Sequence, residues 1–269
     1  MRRAADELAA ALVGERPHTV WFKFPRLRGA GQRLAGRRVL AVRVRGKALL
    51  IDFAGGTTIY THNQLYGKWL LGPARTRPDT ARDLRLALET RRHAALLYSA
   101  SDIDVLATDA VERLSYVRKL GVELLARETR AADVIAAISQ PRFACRPLGA
   151  LLLDQGFLAG VGNYLRSEIL FVARLHPDAK LGELPTHGKK RLARAALAIT
   201  RRAYRTAGVT NDPKRVRDLK RQGLAYARYR HYVFDRLNEP CYACGTYVRR
   251  VIHAGRQLYL CATCQPGPA

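Results

Sequence analysis

Four of the five cysteines stand in two C-x2-C pairs, Cys241 with Cys244 and Cys261 with Cys264, with sixteen residues between the pairs. A C-x2-C pair in a tight turn delivers two thiolates to one ion, and two such pairs complete a tetrahedral four-cysteine site. Disulfide pairing is the weaker reading of this spacing, so one structural Zn2+ is expected. Gly245 follows the first pair, where such a knuckle turns. Val248, Val251, Tyr259 and Leu260 flank Gly255 as the strands of a hairpin would. Zinc ribbons of this kind occur in many DNA- and RNA-binding proteins, so the motif names the metal and leaves the function open. Cys145 stands alone and reads as a small buried hydrophobe.

The charge narrows the class of partner. Lys and Arg number 47 against 22 Asp and Glu, a formal charge of +25. A polyanion is the simplest partner, because each neutralised phosphate releases a counterion. A basic proteome or an anionic membrane surface would also raise the count, but these residues cluster: His187 to Arg236 holds fifteen Lys and Arg against three Asp. Clustering of that kind favours nucleic acid. No apolar run reaches the ~18 residues of a membrane span, and no signal peptide opens the chain. A cytoplasmic, monomeric protein with no membrane partner is expected. With 48% hydrophobic residues a packed core is feasible.

The pattern along the chain has three parts. Residues 4–13 read as a helix closed by Gly14, with no Ser, Thr, Asp or Asn to cap its start, and with Arg2 and Arg3 at its positive end. Its Asp6 and Glu7 read as solvent-facing charge. From Val39 to Tyr98 come short β-type runs, VLAVRVRGKALLIDF, TTIYTH, LRLALET and HAALLYSA, punctuated by Gly and Pro. They predict a compact antiparallel sandwich or barrel. After Asp109 the pattern turns helical, with helices expected over 109–119, 130–138, 147–155, 163–173 and 187–207. The expected division is a β domain over 1–108, a helical domain over 109–236 and the cysteine module over 237–269, an α+β multidomain chain.

The stretch LLLDQGFLAGVGNYLRSEIL, residues 151–170, carries the most information. Gly160-Val161-Gly162-Asn163 makes a sharp turn into a second helix. Glycines let backbone approach a ligand, and a helix start presents unpaired N–H groups to an anion. Asn163 could contact a phosphate there. An ordinary packing corner between two helices fits these residues equally well. The turn is too short for a nucleoside-triphosphate loop.

Three separated strings now coincide: VRGKALLIDF with THNQLYG, the Gly-Asn stretch, and the four-cysteine tail with GRQLYLC. Together they resemble the Fpg/Nei family of DNA glycosylases, and within it endonuclease VIII. The resemblance implies an N-terminal β-sandwich, a helical domain with a helix–two-turns–helix element, and a C-terminal zinc finger, with DNA held between the domains. It places Gly160, Gly162 and Asn163 in the phosphate-holding turn. It matches Lys47 and Arg256 to two further phosphate contacts, and Gln64, Leu65 and Tyr66 to the wedge that fills the gap left by a flipped nucleotide. Taken alone, Lys47 and Arg256 read as a solvated basic face and the triad as strand packing. The implied substrate is double-stranded DNA with oxidised bases or abasic sites. HNQLYG follows the endonuclease VIII form, which favours oxidised pyrimidines.

In the family that this chain resembles, an N-terminal proline attacks the sugar C1′ and the next glutamate moves the protons, giving base release and then β,δ-elimination. Met-Arg-Arg-Ala-Ala-Asp aligns just after that segment, so no residue of the sequence is assigned a catalytic role. Either the functional start carries Pro-Glu just upstream, which is the favoured expectation, or the chain is a lesion-binding relative without catalysis. A zinc-ribbon nucleic-acid adaptor is a further alternative.

Overall fold

The computed structural model describes residues 1–64 and 66–267, and the chain divides into two compact units, Met1–Lys119 and Leu120–Ala269. In the first unit, helix α1 (Arg2–Leu12) has no side-chain cap and no acid in its first turn, as its sequence suggested. It buries Ala5, Leu8, Ala11 and Leu12, one stripe at helical spacing. Asp6 and Glu7 pair with Arg2 and Arg3 on its outer face. Strand β1 (Thr19–Phe22) leads into α2 (Pro25–Leu34), a helix that the sequence did not announce, because Gly29 and Gly31 lower its propensity. Gly31 has a packing reason: a Cβ there would lie 2.3 Å from the Val20 carbonyl oxygen.

Seven strands follow: β2 (Val39–Arg45), β3 (Ala48–Phe53), β4 (Thr57–His62), β5 (Lys68–Pro73), β6 (Leu84–Glu89), β7 (His93–Tyr98) and β8 (Asp102–Ala107). They form two antiparallel sheets in the orders β2-β3-β4-β8 and β1-β6-β7-β5. Between the sheets lies one core, with Leu49, Ile51, Phe53 and Ile59 from the first and Leu86, Leu88, Ala95 and Leu97 from the second. This is the expected sandwich. Strand β3 is buried along its whole length. Its alternate residues Ala48 and Leu50 face a second cluster with Tyr60, Val111 and Val117, which explains its unbroken apolar run. The helix expected over 109–119 is instead a 3-10 turn, Thr108–Arg113, and the single-turn α3 (Ser115–Arg118). Leu114 is extended between them (φ −57°, ψ 132°), which lets Val111 and Val117 both reach the sheet.

The second unit contains β9 (Val122–Glu123), α4 (Ala131–Ile138), α5 (Leu148–Leu151), β10 (Leu158–Ala159), α6 (Asn163–Ala173), α7 (Thr186–Arg205), α8 (Pro213–Arg221), α9 (Tyr226–Tyr229) and a hairpin of β11 (Arg249–His253) and β12 (Arg256–Leu260). Strands β9 and β10 pair in parallel. Leu258 and Leu260 of the hairpin enter the same core as α6 and α7, so the cysteine-bearing tail packs with the helices. Of the helix expected over 147–155 only one turn forms, because Asp154 and Gln155 spend their side chains on the turn that follows. The expectation for Cys145 is corrected: it is exposed. A 3-10 turn, Pro141–Phe143, points Phe143 into the core against Phe157 and carries Cys145 outward. Among the described residues no helix is long and apolar enough to cross a membrane.

Candidate nucleic-acid interface and metal centre

The turn between α5 and α6 is built by one side chain. Gln155 donates from Nε2 to the carbonyls of Leu153 and Val161 (both 3.1 Å), and its Oε1 accepts from the Gly160 amide at 3.0 Å. Gly160 sits at φ +91°, a conformation that favours glycine. Gly162 then caps α6 with extended backbone and no side chain, so the first amides of the helix have no side-chain cap, the arrangement in which a helix start can take an anion. Gly160, Gly162 and Asn163 are thus brought into one turn.

Asn163 opens α6 and is oriented from both ends of its amide. Its Nδ2 donates to the Gln257 carbonyl at 2.8 Å, and its Oδ1 accepts from Arg166 at 2.7 Å. Arg256 stands one residue before Gln257, exposed at the hairpin tip after Ala254 and Gly255, both at positive φ as a type I′ turn requires. The structure therefore joins Asn163 to the backbone that carries Arg256. Arg166 was not singled out from the sequence, nor was Glu168 given a role. A signal existed: beyond Asn163 and Tyr164 at its start, α6 is apolar except for Arg166, Ser167 and Glu168, and all three are buried. Polar groups buried in such a helix have to be bonded.

Glu168 is fully buried, and burial pushes its carboxyl up while four donors pull it back. Its oxygens accept the amides of Tyr232 (2.8 Å), Val233 (2.8 Å) and Phe234 (3.0 Å) and the Thr210 hydroxyl. It pins to α6 the segment that leads into the cysteine module. Ser167 adds a second tie by accepting the Tyr259 amide at 3.2 Å.

The four cysteines converge as their spacing implied. Their sulfurs lie within 4.8 Å of one another, with Cys241 to Cys264 at 3.9 Å and Cys244 to Cys261 at 3.4 Å. Four thiolates ~2.3 Å from a tetrahedral zinc stand about 3.8 Å apart, so the set fits one ion. The Thr246 hydroxyl and amide bring the Cys244 thiol down to about 6. Gln265 braces the second pair, accepting the Cys261 amide at 3.1 Å and donating to the Leu175 carbonyl at 2.9 Å.

The remaining expected contacts lie in the first unit. Lys47 occupies the β2–β3 hairpin, and its amide donates to the Tyr116 hydroxyl at 2.8 Å. The Tyr116 ring packs on His62, with centroids 4.8 Å apart. Burial holds His62 below its ordinary range, opposed by Asp102 and helped by the Lys47 charge. Tyr116 was not signalled by a pattern in the sequence, and His62 lies in the THNQLYG string without a role assigned to it there. Beyond His62 the chain turns tightly, with the Gly67 amide bonded to the Asn63 carbonyl at 2.7 Å and Gln64 at φ +49°. Gln64 is exposed, and its Oε1 accepts from Ser101 at 2.9 Å. Tyr66 is 71% exposed, a large aromatic ring in solvent that plain strand packing does not explain. Leu65 lies outside the described residues.

Three family models match in chain order: the formamidopyrimidine-DNA glycosylase N-terminal domain over residues 1–100, the formamidopyrimidine-DNA glycosylase H2TH domain over 120–213, and the zinc finger found in FPG and IleRS over 238–267. Endonuclease 8 of Klebsiella pneumoniae is 42% identical over 265 residues, 98% of this chain and 97% of the relative. Endonuclease 8 of Pectobacterium atrosepticum is 40% identical with the same coverage. Among solved structures, Lactococcus lactis Fpg in complex with DNA containing an abasic site superposes with a TM-score of 0.81 at 18% identity, covering 99% of this chain and 98% of that one. The likeness in fold and the identity to the endonuclease 8 proteins agree, and the chain belongs to the Fpg/Nei family of DNA glycosylases.

Proposed function

We propose that the protein excises oxidised bases, pyrimidines foremost, from double-stranded DNA and then cleaves the abasic strand by β,δ-elimination. The observation that carries this reading is the joined pair of Asn163 and Arg256 at an uncapped helix start. A strand under repair has to be gripped at its phosphates while a base is extruded, at a cost of a few kcal/mol. Helix amides and an amide side chain supply neutral donors, and Arg256 supplies the charge. Lys47 adds a phosphate contact in the first unit. Gln64, Leu65 and Tyr66 form the wedge, where an exposed aromatic side chain can replace the stacking of the lost base. The nucleophile in this reading is the terminal proline amine of the family, with the adjacent glutamate as proton carrier.

The test uses the protein with the amino terminus that it carries in its host, on duplexes bearing one oxidised pyrimidine. Strand scission that leaves phosphate at both sides of the gap, together with a borohydride-trapped covalent complex, is expected. Binding with neither product would leave a lesion-binding member of the family and remove the catalytic part of the reading.

A further inference from the structure

Arg166 is the largest fully buried side chain among the described residues, and its surroundings are unusual for a buried cation. Its Nη1 donates to the Gly149 carbonyl and the His253 carbonyl, both at 3.0 Å. Its Nη2 reaches Asn163 Oδ1 at 2.7 Å, the Gln257 carbonyl at 3.2 Å and the Arg256 carbonyl at 3.4 Å. One planar group thus touches α5, the start of α6 and both strands of the zinc-finger hairpin around its tip.

We propose that Arg166 is the positioning residue of the phosphate clamp, locking the Asn163 amide and the Arg256 hairpin tip into a single preformed unit that awaits an anion. This inference rests on the phosphate-clamp reading given above.

Two physical points carry it. A guanidinium has donors and no acceptor, so only the oxygen of the Asn163 amide can face it. Arg166 therefore decides which way Asn163 points and turns its Nδ2 donors away from itself. One of them holds the Gln257 carbonyl, and the other is left for a ligand. The second point is charge. A buried cation ordinarily has a carboxylate partner. Among the described residues Arg166 has only carbonyl and amide oxygens, and burial, followed by repulsion from Arg256, lowers it to about 10. It is still charged at neutral pH, with no carboxylate to balance it. An anion bound at the Asn163 turn supplies the missing negative charge, whereas a purely structural tie between helix and hairpin would need no such imbalance.

The experiment measures affinity of the zinc-loaded full chain for a duplex with a tetrahydrofuran abasic analogue. It compares wild type, Asn163→Ala, Arg256→Ala, Arg166→Met, Arg166→Lys, the Asn163→Ala, Arg256→Ala double variant and that double variant with Arg166→Met added, with zinc content and melting followed in parallel. Arg166→Met is expected to weaken binding about ten- to hundredfold, by analogy with the loss of partners that orient metal ligands. In the Asn163→Ala, Arg256→Ala background the same change is expected to cost less than about threefold, since residues acting as one unit are not additive. Arg166→Lys keeps the charge without the planar fork, and a loss of at least about fivefold is expected from the geometry alone. This variant decides the matter if Arg166→Met fails to fold. Wild-type affinity in folded Arg166 variants, or losses that add fully in the double background, would overturn the inference while leaving the clamp intact. Unchanged affinity in Asn163→Ala and in Arg256→Ala would overturn the clamp reading itself.

Discussion

Removing zinc from the purified protein is expected to abolish its grip on DNA and to loosen far more than the tail. Structural zinc in a four-cysteine module carries apparent binding energies of roughly 10–16 kcal/mol, so the ion is a condition for local folding. Here the module is not an appendage. Its hairpin lends Leu258 and Leu260 to the core shared with α6 and α7, its Tyr259 amide is held by Ser167, and its Gln257 carbonyl holds Asn163. Disorder in the knuckles therefore reaches the helix start that carries the proposed phosphate clamp. After chelation, amide exchange is expected to rise through residues 237–267 and at the first turn of α6, and affinity for lesion duplex to fall by two orders of magnitude or more, about 3 kcal/mol. Unchanged binding after confirmed loss of zinc would contradict the role given to the module.

The second large effect is on stability. Replacing Glu168 by Ala is expected to cost about 3–5 kcal/mol, because three buried amide donors lose their acceptor together. The change strands three amides, those of Tyr232, Val233 and Phe234, around a fully buried position, while the Thr210 hydroxyl keeps the Arg230 carbonyl and His231 as partners. Each unsatisfied donor carries a desolvation cost of about 1–3 kcal/mol before any relaxation. Chemical denaturation should show the loss directly. Glu168→Gln is expected to fall between, because its oxygen can still accept while its NH2 group confronts donors. Wild-type stability in Glu168→Ala would mean that the backbone at 232–234 finds other partners.

What could be read from the sequence follows from the range of the interactions involved. Helix α6 was expected over 163–173 and forms over Asn163–Ala173, because the Gly-Val-Gly before it breaks the chain locally and the apolar run after it is unambiguous. The cysteine cluster was legible because metal ligands impose spacing on the chain itself. Helix α2 was not, since Gly31 is there for the Val20 carbonyl, a neighbour eleven residues away. The same holds for the site. Asn163, Arg256 and the cysteines sit in recognisable strings; Arg166 shares the string of Asn163, but its role comes through His253, Arg256 and Gln257, almost ninety residues or more distant along the chain. Long-range hydrogen bonds leave no periodic trace. The helical environment of Arg166 was the one available hint: a charged residue in a helix with no polar face has to be neutralised by something.

The most direct measurement compares, at one salt concentration, the affinity of the protein for an intact duplex and for the same duplex carrying a single tetrahydrofuran abasic analogue. Electrostatic attraction from a +25 chain acts on both equally, so it drops out of the ratio. A wedge and a phosphate clamp gain only where the duplex can be opened and bent. At least about tenfold tighter binding to the abasic duplex, some 1.4 kcal/mol, is expected of a lesion-processing member of the family. Equal affinity for the two duplexes would contradict it and leave a zinc-bearing protein that holds DNA without regard to damage.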